Sequence, residues 1–83
     1  MENLSHHLIR SLHEAKSTAG SDYAAFRRLS LEAVNAVEAK GDIDDRLAEA
    51  IDAVRFPDTD DIDWIIQRAV AILGPSGRSP TTP

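Results

Sequence analysis

The strongest constraint on this chain is its punctuation. Gly20, Gly41, Pro57 and Gly74 interrupt it, and between these breaks apolar side chains recur every three or four positions. That is the spacing of one helix face, not the alternation of a strand. Each break carries a physical stop: glycine accepts the left-handed turn that ends a helix, and proline lacks the amide the next turn would use. The expected fold class is therefore all-α, a compact four-helix bundle over residues 1–74. Residues 75–83 read as a short disordered C-terminal tail or linker, because they hold Ser, Thr, Pro and one Arg but nothing to bury.

The stripes can be named. Leu4, Leu8, Ile9, Leu12 and Ala15 form the first. Asp22 is placed to cap a second helix in which Phe26, Leu29, Ala33 and Val37 share a face, closed by Gly41. Asp42 is the expected cap of a third helix, whose stripe is Ile43, Leu47, Ala50, Ile51 and Val54. The fourth starts within Asp58 to Asp61, where carboxylates suit the positive end of the helix dipole, and buries Ile62, Ile65, Ile66, Ala69, Val70 and Leu73. Short connections favour antiparallel neighbours. At 83 residues with 5% aromatics, the chain has one aliphatic, alanine-rich core, from which only modest stability is expected.

Charge is distributed unevenly. Residues 42–63 hold nine acids (Asp42, Asp44, Asp45, Glu49, Asp52, Asp58, Asp60, Asp61, Asp63) against Arg46 and Arg55, whereas residues 1–41 are neutral. On a helix at about 100° per residue, Asp45, Glu49 and Asp52 fall on one face, opposite the apolar stripe. They form an acidic ridge beside the Asp-rich start of the fourth helix. It reads as either a solvated face with capping carboxylates or a docking surface for a basic protein partner. Acids outnumber bases by 14 to 9, which argues against direct nucleic-acid binding, and a recognition helix opening on Asp58, Asp60, Asp61 and Asp63 would be repelled by phosphates. In the first twenty residues, charged side chains interrupt every apolar stretch, so neither a signal peptide nor a membrane span is expected, and the expected location is cytoplasmic. Arginine outnumbers lysine seven to two, a composition typical of GC-rich bacterial or phage genomes.

Catalytic and metal chemistry are not written into the residues. No cysteine is present, so disulfide, zinc-finger and redox motifs are excluded. Calcium loops starting at Asp42 or Asp58 fail, because their sixth and twelfth places hold Leu47 and Ala53, or Asp63 and Ala69. His6, His7 and His13 lack zinc-helix spacing, and no serine sits in a glycine-bracketed elbow. No cofactor, metal or catalytic residue is expected.

Two stretches resemble acyl and peptidyl carrier proteins. Leu29-Ser30-Leu31-Glu32-Ala33-Val34 is similar to the start of their second helix, where the serine of an Asp-Ser-Leu or His-Ser-Leu motif receives phosphopantetheine. Ile62-Asp63-Trp64-Ile65 is similar to an Ile-Asp-Tyr-Ile run in their last helix. The resemblance implies a carrier modified at Ser30. In this chain Leu29 takes the place of the acidic or histidine residue, and Arg27-Arg28 that of the usual glycine. Helical phase sets Ser30 about 40° from Phe26, which reads as a small serine facing the core.

The functional expectation is a non-enzymatic protein–protein interaction domain: a small regulator, inhibitor or adaptor, with a bacterial or phage conflict system as its setting. The alternatives are the Ser30 carrier and the N-terminal recruitment module of a longer protein. Homodimerisation is a further possibility. The expected partner-binding residues are Trp64, Asp45, Glu49, Asp52, Asp60 and Asp63. Trp64 is singled out because it falls about 160° from the centre of its helix's apolar stripe. It either anchors a partner or folds over Phe56 and Pro57 as a lid on the connection.

Overall fold

The computed structural model describes residues 4–41 and 43–74. Within them the chain is all-α: α1 (Leu4–Ala19), α2 (Tyr23–Lys40), α3 (Asp45–Arg55) and α4 (Ile62–Leu73). The expected tail at 75–83 and the expected cap Asp42 lie outside the described residues. No helix among the described residues is long and apolar enough to cross a membrane.

Three of the four helices begin in the same way. The side chains of Asp22, Asp44 and Asp61 accept hydrogen bonds from the backbone N–H groups of Ala25, Leu47 and Trp64, satisfying a donor that the first helical turn leaves unpaired. The cap of α3 is Asp44, where Asp42 was expected. Gly41 ends α2 at φ 90°, donating to the Glu38 carbonyl, and Ile43 then packs against the core before the next helix begins. The cap at Asp44 starts α3 two residues later than a cap at Asp42 would.

The helices pack most extensively as two hairpins, α1 on α2 and α3 on α4, and contacts of α1 with α4 and of α2 with α3 close the ring. Leu8, Leu12, Phe26, Val34, Val37, Val54 and Ile65 lie at its centre, fully buried or nearly so. The stripes of α1, α3 and α4 are as expected from the spacing, with Leu4, Ile9, Ile43, Ile62 and Val70 partly buried at the edges. Helix α2 differs. Its buried residues are Phe26, Ser30, Val34 and Val37, whereas Leu29 and Ala33 are half-buried. The face is centred on Ser30, which an apolar count passes over.

Polar side chains bind the two hairpins together. The guanidinium of Arg27 on α2 donates to the carbonyls of Val54 at 2.6 Å and Arg55 at 3.0 Å, groups that the last turn of α3 leaves without an intrahelical partner. Arg55 in turn grips Glu38 through both nitrogens, at 2.6 and 3.2 Å. Lys16 of α1 pairs with Asp63 of α4. The Tyr23 hydroxyl donates to the Thr59 carbonyl at 3.3 Å, tying the start of α2 to the α3–α4 connection.

Candidate protein-docking surface

The α3–α4 hairpin encloses the most informative surface of the molecule. Residues Glu49, Asp52, Ala53 and Phe56 follow one another at helical spacing along α3 and into its C-cap, and Trp64, Ile65, Arg68 and Ile72 do so along α4. Between these rows, closed at one end by Pro57, Asp58 and Thr59, runs a groove of about 300 Å³. Its aromatic walls face water: Phe56 is 71% exposed and Trp64 54%. The chain has only four aromatic residues, so half of them stand in one solvent-facing groove, while Phe26 is the one fully buried in the core.

Local hydrogen bonds hold this end of the hairpin in shape. The N–H of Phe56 continues the α3 ladder to the Asp52 carbonyl at 2.8 Å. Thr59 accepts from the Asp61 N–H at 3.1 Å through its hydroxyl, and Asp61 accepts from the Trp64 N–H at 3.3 Å. With Tyr23 fastening Thr59 from α2, both strands of the connection are anchored.

The expected site residues divide into three groups. Trp64, Glu49 and Asp52 line the groove together. Asp45 is exposed one turn before Glu49, on the same side of α3. Asp60 is exposed in the connection and does not line the groove, and Asp63 points to α1, where Lys16 neutralises it. Of the Asp-rich segment before α4, Asp58 lines the groove with Glu49 and Asp52. Phe56, Asp58 and Arg68 belong to the groove and were not among the expected residues. The signal for Phe56 was available: a large apolar residue immediately before the helix-stopping Pro57 has no turn beneath it to bury against.

Charge in the groove is mixed but mostly negative, with Glu49, Asp52 and Asp58 against Arg68. The hydrogen-bonded Arg55 guanidinium holds the Glu38 carboxyl below its ordinary value, desolvation opposing it, and Glu38 reciprocally raises Arg55.

Ser30 is fully buried, and its hydroxyl donates to the Arg27 carbonyl at 3.0 Å. The serine that the carrier resemblance singles out is therefore not exposed at the surface in this fold. His6 and His13 are exposed and His7 is half-buried. Among the described residues no three His, Asp or Glu side chains converge as ligands for a metal ion. A second, shallower depression between α1 and α2, lined by Ser11, Glu14, Thr18, Leu29 and Glu32 among others, exposes no aromatic side chain.

No family model, no curated protein and no solved structure matches the chain.

Proposed function

We propose that this chain is a non-enzymatic protein–protein interaction domain, a small regulator or adaptor that docks a basic partner on the α3–α4 face. The observation that carries this reading is the pair of exposed aromatics, Phe56 and Trp64, sharing one groove with three carboxylates. Covering the exposed parts of both rings removes on the order of 250 Å² of apolar surface from water. Aromatic anchors surrounded by polar groups are the usual composition of an energetic hot spot. The carboxylates of Asp45, Glu49 and Asp52 add long-range attraction that raises the rate of encounter more than the final affinity. Burial of Ser30 favours this reading over that of a covalently loaded carrier.

The experiment is affinity capture with the full chain and with Trp64→Ala in parallel, followed by measurement of binding to whichever partner is recovered. Trp64→Ala is expected to weaken binding at least tenfold, equivalent to about 1.4 kcal/mol, while its thermal melt stays within a few degrees of the parent. A partner that binds Trp64→Ala as well as it binds the parent chain refutes the proposal.

A further inference from the structure

We infer that the groove between Phe56 and Trp64 is a receptor for a single arginine side chain of the partner. This deepens the proposed docking function and rests on it. The groove combines aromatic walls with several carboxylates. An aliphatic ligand would use the rings but would cover Glu49, Asp52 and Asp58 without replacing their water, which costs free energy. An acidic ligand would be repelled. Lysine offers charge, but its compact ammonium is strongly hydrated and makes no planar contact. Arginine meets both demands: its alkyl stem packs on the rings, its guanidinium plane stacks against an aromatic face, and its fork of N–H groups matches a carboxylate. At about 300 Å³ the groove is at the lower end of the size of small-molecule sites, which suits one side chain.

Arg68 lines the same groove and works against a cationic guest. It lies one turn beyond Trp64 on α4, and the three carboxylates outweigh it. Its presence gives the proposal a signed test, because removing Arg68 must strengthen binding of a cation and weaken binding of an anion.

Trp64 is the single tryptophan of the chain, so its fluorescence reports on the groove alone. The full chain is titrated with the acetylated, amidated peptide Gly-Ser-Leu-Arg-Leu-Ser-Gly and with a counterpart carrying citrulline, the neutral isostere, in place of arginine. The arginine peptide is expected to produce a saturable change in Trp64 emission. The citrulline peptide is expected to bind about tenfold more weakly, from the loss of charge-assisted hydrogen bonds. Arg68→Ala should tighten the arginine peptide about threefold, and the double variant Glu49→Gln, Asp52→Asn should loosen it at least as much. Equal binding of the two peptides, or weaker binding to Arg68→Ala, overturns the inference, as does a Trp64 signal that depends on protein concentration without peptide, which would mean a second copy fills the groove. Amide chemical shifts separate this failure from that of the docking proposal. If hexa-arginine perturbs the amides of Asp45 and Glu49 while Trp64 emission stays constant, the arginine receptor falls and the acidic docking face stands; if it perturbs neither, both fall.

Discussion

Arg27→Met removes the guanidinium that caps α3 while keeping most of the side chain's hydrocarbon. Two hydrogen bonds from a charged donor are lost, to the carbonyls of Val54 and Arg55. The two are not equivalent. Arg55 is half-exposed, so water replaces the donor at its carbonyl and the net loss there is about 1 kcal/mol. Val54 is fully buried, and a carbonyl beside it that water reaches poorly loses about 1–3 kcal/mol when left unpaired. Loss of a cation at the negative end of α3 adds a few tenths of a kcal/mol. The total is about 3 kcal/mol, a large part of the stability of a small domain. Differential scanning calorimetry should show the melting temperature falling on the order of 15 °C, at about 4–8 °C per kcal/mol for a chain of this size. Arg28→Met is the control: it alters an exposed neighbour on the same helix and should change stability by less than about 0.5 kcal/mol. If both variants melt within 2 °C or so of the parent, water caps α3 as well as Arg27 does, and the seam between the hairpins owes nothing to it.

Phe26 is the largest fully buried side chain, and Phe26→Ala should cost about 3–5 kcal/mol, enough to leave a largely unfolded chain by circular dichroism. Ser30→Ala, by contrast, removes one buried hydroxyl whose acceptor is a helical carbonyl, and should shift stability by no more than about 1 kcal/mol in urea melts; incubation of the parent chain with a phosphopantetheinyl transferase and coenzyme A should give no mass increase. The Glu38 carboxyl is held below its ordinary value of 4.5 by Arg55, so its folded form binds a proton less readily than its unfolded form. The stability this contributes is complete above that ordinary value and is lost as pH falls through the lowered one. Glu38→Gln should therefore flatten the acid limb of the stability–pH curve and leave its neutral region nearly level.

The helix count, three of the core faces, the Asp22 cap and the span Asp58 to Asp61 that holds the cap of α4 were legible because they depend on neighbours in sequence: the recurrence of Leu8 and Leu12, the glycine after Lys40, the proline after Phe56. What escaped depended on partners from other helices. Asp63 looks like part of an acidic run until α1 brings Lys16 against it. Ser30 is different: the phase of α2 set it toward the core, and it is fully buried there with its hydroxyl satisfied within its own helix, although an apolar count left it and Val34 out of the stripe. The phase of Trp64 on α4 predicted that it would be turned from the core, and it is exposed. Its closeness to Phe56 and Pro57, one of the two readings of its place in the sequence, is seen in the groove that all three line.

The hairpin arrangement also governs how the chain reaches its native state. The most extensive contacts, α1 with α2 and α3 with α4, join segments separated by turns of three and six residues, and closing loops this short costs little chain entropy. Distant parts of the chain must meet where α1 packs on α4 and where Tyr23 and Arg27 reach Thr59, Val54 and Arg55. A topology so dominated by local pairing folds within the microsecond-to-millisecond range of helical bundles. Each hairpin can form early, leaving the docking of Arg27 and Arg55 across the seam as a late step. A newly made chain would thus present the α3–α4 groove, with its two aromatics, almost as soon as that hairpin leaves the ribosome.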